Sequence, residues 1–203
     1  MLTAFARAFR TPDLRKKMLF TLGIIGLFRL GSIVPTPGID VQAVNACVEQ
    51  VGNTGVYGML NLFSGGALLQ LAVFALGIMP YITASIILQL LTVVIPRLEA
   101  LKKEGQAGQT KITQYTRYLT IGLAVLQATT IVSLARSGQL FPNCPEQIVP
   151  DDSVGTIVVM VITMTAGTAV IMWLGELITD RGVGNGMSIL IFTQIIATFP
   201  TAL

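Results

Sequence analysis

The chain has 203 residues, of which 53% are hydrophobic and only 11% charged, with a formal net charge of +3. Its mean hydropathy is +0.75. About a quarter of the residues of a soluble domain are charged, so this chain lacks the polar side chains to cover a water-facing surface. Its apolar runs are long rather than alternating, which argues against a membrane β-barrel and predicts an all-α polytopic membrane protein.

In chain order, a basic segment at 1–17 is read as cytosolic and leads into a first span at 18–34, which ends at Pro35-Thr36-Pro37-Gly38. That span is read as retained rather than cleaved, because prolines stand where a small-residue cleavage site would follow a signal peptide. Residues 52–70 form a charge-free, glycine-studded stretch (Gly52, Gly55, Gly58, Ser64, Gly65, Gly66). It is too short and broken to cross a bilayer, yet too apolar for an ordinary loop. Such backbone survives at membrane depth only where protein buries it or it lines a cavity, so a plugged or gated pathway is expected. Further spans are predicted at 71–95, 118–135, 154–174 and 188–203, each near the ~20 residues a bilayer requires. A cytosolic loop at 96–116 and an outer loop at 136–153 separate them.

With the N-terminus in the cytosol, all of the 13 basic residues except Arg29 and Arg136 fall on the inner side, while the 10 acidic residues divide evenly. This is the asymmetry that orients membrane helices. It holds only if 52–70 enters and leaves from the outer face, so that stretch is read as re-entrant. The basic balance is then a topology signal facing anionic lipid rather than a nucleic-acid footprint. Lys102, Lys103 and Lys111 offer a docking place for a cytosolic partner. Cys47 and Cys144 both fall in outer loops, where one intramolecular disulfide is available but not established by the sequence.

The chain contains no histidine, which removes histidine-activated nucleophiles and the commonest metal ligand. No full span carries a mid-membrane carboxylate, the usual mark of ion coupling. No catalytic residue, metal site or cofactor is predicted, and the chain is read as not an enzyme. Arg29, near the outer end of the first span, is read as snorkelling to the interface rather than forming a functional pair. The run Gly182-Val183-Gly184-Asn185-Gly186 follows a helix rather than a strand, so the context of a phosphate-binding loop is missing. It is read as a tight turn, with Asn185 or Ser188 capping the next span. Glu176, Asp180 and Arg181 are read as a solvated turn or an interfacial pairing. After the re-entrant stretch, Ile78, Ile82 and Ile86 recur at four-residue spacing on one helical face. Thr83, Ser85, Gln89 and Thr92 add polar groups nearby, and Pro80 is expected to kink the helix. Such a stripe is ordinarily packing or lipid contact; here a hydrophobic constriction is the alternative.

Asn61-Leu62-Phe63-Ser64-Gly65-Gly66-Ala67-Leu68 and Phe74-Ala75-Leu76-Gly77-Ile78-Met79-Pro80-Tyr81-Ile82-Thr83-Ala84-Ser85-Ile86-Ile87 closely resemble the SecY family, the channel subunits of bacterial protein translocation. So do Thr11-Pro12-Asp13-Leu14-Arg15-Lys16-Lys17, Lys103-Glu104-Gly105, Gln114-Tyr115-Thr116-Arg117-Tyr118, Met172-Trp173-Leu174-Gly175-Glu176 and Asp180-Arg181-Gly182-Val183-Gly184-Asn185-Gly186. The pattern, both outer-loop cysteines included, is most similar to the actinobacterial branch. The resemblance implies ten spans in two inverted halves around an hourglass pore. Residues 1–203 match the first half, five spans plus a re-entrant plug helix at 52–70.

The resemblance places Asn61, Leu62, Phe63, Ser64, Gly65 and Gly66 in the plug. It places Ile78, Ile82, Met187 and Ile191 in the apolar pore ring, Met187 standing where isoleucine is often seen. Thr83, Ile86, Ile87 and Gln127 would line one wall of a lateral gate, and Arg117 would join Lys102, Lys103 and Lys111 in contacting cytosolic partners. The implied function is to pass unfolded secretory proteins across the bacterial cytoplasmic membrane and to release membrane proteins sideways into it. Implied partners are SecE and SecG subunits, the SecA motor ATPase or a ribosome, signal-sequence-bearing polypeptides and membrane lipids, with no direct nucleic-acid substrate. Two other readings stand beside it. Half of a solute transporter with a discontinuous helix would show small-molecule flux, and a structural scaffold would tolerate polar substitution at Ile78 and Ile82.

Overall fold

The computed structural model describes residues 10–51, 59, 64–141, 144 and 147–198. Of the expected plug, Asn61, Leu62 and Phe63 lie outside the described residues, as do 52–58 and 60.

Helix α1 (Pro12–Ile33) starts on a proline, which fits a first turn because its missing N–H has no partner there anyway. Its buried residues Thr21, Ile24, Phe28 and Ser32 form one stripe. The chain leaves α1 extended, and Pro35 bridges antiparallel to Ala72. The Thr36 N–H donates to the Leu71 carbonyl at 3.1 Å, and the Val73 N–H donates to the Val34 carbonyl at 2.9 Å. Helix α2 (Val41–Val51) is capped by Asp40, whose Oδ1 accepts from the Gln42 and Ala43 N–H groups at 2.9 and 3.3 Å.

The expected span at 71–95 is helical only in its second part. Residues 64–78 form a chain of turns, and helix α3 runs over Met79–Val94. Left-handed φ angles at Gly65, Gly66, Leu71 and Gly77 prevent a helix from propagating through the stretch. Short-range bonds such as Leu71 N–H to Leu68 O and Gly77 N–H to Phe74 O satisfy part of its backbone instead. Pro80 accordingly sits in the first turn of α3 rather than kinking a helix interior. The sharp bend comes later, 101° between α3 and α4 (Pro96–Lys103). Ile95 is extended there, as a residue before proline is.

The stretch expected as a cytosolic loop at 96–116 is also mostly helical, because α4 occupies its first part and α5 (Gln106–Arg136) begins within it. Helix α6 spans Val154–Arg181, seven residues beyond the expected end at 174, with the Ser153 Oγ accepting from the Thr156 N–H at 3.3 Å. Helix α7 covers Gly186–Thr198. Helices α5 and α6 are each long and apolar enough to cross a membrane, and the bent pair α3–α4 is a third candidate. The five-span count is not reached on that criterion among the described residues. Helix α1 begins with charged residues, and α3 and α7 are short, at 16 and 13 residues.

Two apolar clusters organise the interior. One joins α2, the turn segment, α5, the 137–150 region and α6 around Cys47, Leu71, Val132, Phe141 and Met160. The other joins α1, the start of α3, α6 and α7 around Phe28, Ile78, Ile171, Ile178 and Leu190. Helices α6 and α7 approach backbone to backbone, so that a Cβ on Gly186 would collide with the Gly175 carbonyl.

Candidate channel site

The four residues expected to form a pore ring come from two elements that meet at one place. Ile78 caps the N-terminus of α3 and is fully buried in the second cluster; Ile82, Met187 and Ile191 pack against that same cluster from α3 and α7. The Phe28 and Phe74 rings stack behind them with centroids 5.7 Å apart. Ile86, the third member of the expected stripe, is 52% exposed and lies outside the cluster.

Ile82 and Met187 belong to the apolar part of the lining of a cavity of about 500 Å³. Ile86, Arg117, Glu176 and Asp180 also line it. Arg117 Nε and Nη2 donate to Glu176 Oε1 and Oε2, each at 2.8 Å, a bidentate pair joining α5 to α6. Of the two readings offered for Glu176, the pairing is the one found, and its partner is Arg117, whose side chain stays 44% exposed. Lys103 likewise holds Glu99 at 2.7 Å on the exposed face of α4. The turn that closes this end is capped by Asn185, whose Oδ1 accepts from the Met187 N–H at 3.1 Å, while Thr179 Oγ1 accepts from the Gly186 N–H at 2.9 Å. Of the two expected caps, Asn185 is the one used.

A second cavity, of about 370 Å³ and almost wholly apolar, lies between the turn segment and α5, lined by Ser64, Leu68, Leu76, Met79, Gln127 and Leu134 among others. The expected gate residues are thereby divided. Gln127 faces this cavity from α5, and Ile86 faces the polar one from α3. Thr83 donates its hydroxyl to the Met79 carbonyl at 2.9 Å. The helices that carry these residues, α3 and α5, pack on each other.

Cys47 and Cys144 are disulfide-bonded, with Cα atoms 5.6 Å apart, and Arg136 pairs with Asp152 at 2.8 Å at the same end. Arg29 does not follow the snorkelling expectation: its Nη1 donates to the Gly65 carbonyl at 2.7 Å. Two features here escaped sequence reasoning. The Arg117–Glu176 pair joins residues 59 apart and had no local signal. Gln194, buried on α7, did have one, being a polar residue four and eight positions beyond the buried Leu190 and Gly186. Among the described residues, no group of three or more His, Cys, Asp or Glu side chains could hold a metal ion.

The family described as SecY matches residues 72–203. Protein translocase subunit SecY of Streptomyces scabiei is 71% identical over 206 residues, covering 100% of this chain and 47% of its own length. The protein of the same description from Mycobacterium tuberculosis is 60% identical over 203 residues, covering 98% and 46%. The chain thus spans about half the length of the curated relatives it matches. Two solved structures superpose with a TM-score of 0.60 at 15% identity, over 91% of this chain and 37% of theirs. One is described as a protein conducting channel, the other as Sec61 in a canine ribosome-channel complex. Fold and apolar helices together define a multi-pass, all-helical membrane protein with the fold of the protein-conducting channels. Within that class, the chain belongs to the SecY family.

Proposed function

We propose that this chain forms one half of a channel that passes unfolded secretory proteins across the bacterial cytoplasmic membrane and releases membrane proteins laterally into it. Five spans, N-terminus inside, would enclose half of an hourglass pore, with 52–70 as a plug entering from the outer face. The observation that carries this reading is the convergence of Ile78, Ile82, Met187 and Ile191 on one apolar cluster, with Ile82 and Met187 also lining the polar cavity. A ring of such side chains can close around an extended polypeptide while offering water and ions few polar partners. The methionine adds a flexible, polarisable contact to an otherwise branched aliphatic surface. Thr83, Ile86, Ile87 and Gln127 would face the other half across the lateral gate. SecE and SecG subunits would complete the channel. Lys102, Lys103 and Lys111 would meet a SecA motor or a ribosome, since no catalytic step is assigned to this chain.

The test uses the full-length protein reconstituted in vesicles with its partner subunits. Ile78→Ser and Ile82→Ser should raise resting ion leak and allow export of substrates with defective signal sequences. Unchanged leak and unchanged selectivity in both variants would remove the ring assignment.

A further inference from the structure

Two polar side chains meet the start of the turn segment, and they act on it in opposite senses. From α1, Arg29 donates to the Gly65 carbonyl at 2.7 Å. From α7, Gln194 is wedged beneath the segment at 1% exposure, and neither its Oε1 nor its Nε2 has a hydrogen-bond partner among the described residues. Two glycines make room for it. A Cβ on Gly65 would stand 3.5 Å from Gln194 Cγ, and one on Gly77 would stand 2.8 Å from Nε2. Both glycines take left-handed φ angles, +67° and +57°. Farther along, residues 71–73 are tied to the exit of α1 through the Thr36–Leu71 and Val73–Val34 bonds. The end beyond Leu71 is therefore anchored, and Arg29 grips the end nearer residue 64.

A charge-assisted bond to a partly buried carbonyl favours the seated arrangement. A buried amide with no partner disfavours it, because the group has lost water and gained nothing in return. We propose that Arg29 is the latch and Gln194 the counterweight that set how readily this segment leaves its seat, with Leu71 as the fixed end about which it moves. The inference rests on the reading of 52–70 as a plug that opens toward the outer face. Withdrawal of Ser64 and Gly65, which pack beside the Gln194 Cα and Cγ and beside Gly77 where the amide lies, opens a way for water to that amide, and the cost of its burial is relieved.

The experiment introduces Ser64→Cys in the full-length protein, in vesicles with its partner subunits, and follows labelling of the new thiol by a membrane-impermeant maleimide from the outer face. The two native cysteines stay disulfide-bonded. Arg29→Met should speed labelling of the resting channel by about tenfold, the scale of one charge-assisted bond. Arg29→Lys should fall between the wild type and Arg29→Met. Gln194→Leu, which fills the same space without the amide, should slow labelling several-fold. A purely structural role would make both changes loosen the seat, so acceleration by Gln194→Leu, or no effect of Arg29→Met, overturns the proposal. Should the resting variants differ in abundance, the same labelling is repeated on channels held open by a stalled translocating polypeptide, where all variants should react at one common, fast rate. If the introduced thiol stays unreactive from outside even with a polypeptide in transit, the plug reading itself fails. If it becomes reactive then, but the resting rates of the variants do not differ in the stated order, only the latch fails.

Discussion

The disulfide gives the sharpest stability test. Cys47 is fully buried on α2, and its bond to Cys144 closes a loop across a sequence separation of 97. The chain-entropy relation assigns about 4.7 kcal/mol to closing a loop of that size. Within a bilayer the intervening helices persist as rods in the unfolded ensemble, which shortens the flexible part of the loop to roughly half. Because the dependence is logarithmic, that correction removes only about 0.6 kcal/mol. Native cysteines replaced as Cys47→Ala plus Cys144→Ala also keep the packing of Val44, Phe141 and Ile148 around the site. The expected loss is therefore about 3–4 kcal/mol, or a fall in Tm on the order of 10 °C for a chain of this size. Thermal unfolding of the purified protein in detergent, with and without reductant, measures it, and the reductant should reproduce the double variant. A Tm shift below about 2 °C would refute the entropic argument. Two titratable thiols in the unreduced, denatured protein would refute the bond.

Three further outcomes follow from particular contacts. The Arg117–Glu176 pair is bidentate but its side chains are 44% and 26% exposed, so a double-mutant cycle with Arg117→Met and Glu176→Gln should give coupling of about 1 kcal/mol. That coupling should shrink in high salt, and its absence at low salt would show the pair to be idle. Gly186→Val places a branched side chain against the Gly175 backbone, where the helices cannot part freely. It should cost about 1–3 kcal/mol in thermal stability, and a neutral result would mean that α6 and α7 do not meet backbone to backbone. Asn185→Ala removes the acceptor for the Met187 N–H and should cost about 1 kcal/mol, while Ser188→Ala, at the other expected cap, should be near neutral by the same measurement.

How much of this was legible in the sequence depended on whether the determining contacts were local. Helices α1, α5 and α6 follow from apolar runs, which report burial directly. Their ends did not, because α5 and α6 continue as helix past the apolar stretch on polar residues: Gln106–Arg117 in one, Glu176–Arg181 in the other. Hydropathy finds where a membrane would begin, not where a helix stops. The opposite error arises at 71–78, where an unbroken apolar run predicts helix and turns are found. What decides the matter is backbone geometry at Leu71 and Gly77 and the pairing of Leu71–Val73 with Val34–Thr36, partners more than thirty positions away. The candidate ring was legible through family resemblance, and its four residues do share a cluster. The partners of Arg29 and Arg117 were not, because each depends on which elements become neighbours.

The turn segment shows why the non-helical stretch belongs where it is. A helix through 64–78 would satisfy its own backbone and pack as a rigid rod, so withdrawing any part of it would break its internal bonds. As a chain of turns with residues 71–73 held by an antiparallel bridge, the segment divides into an anchored end and an end held by side chains. The anchored end delivers Ile78 and Pro80 to the first turn of α3 at a fixed position, which sets the candidate ring. The other end is covered by Arg29 and Gln194, groups on helices that do not themselves have to move. A displacement of residues 64–70 would exchange the contacts with Arg29 and Gln194 and give up the backbone bonds from Leu71 to Leu68 and from Ala72 to Ala67, while leaving the bridge and the start of α3 in place. In a continuous helix at this place, movement and sealing would be coupled through one hydrogen-bond ladder; the turns separate them.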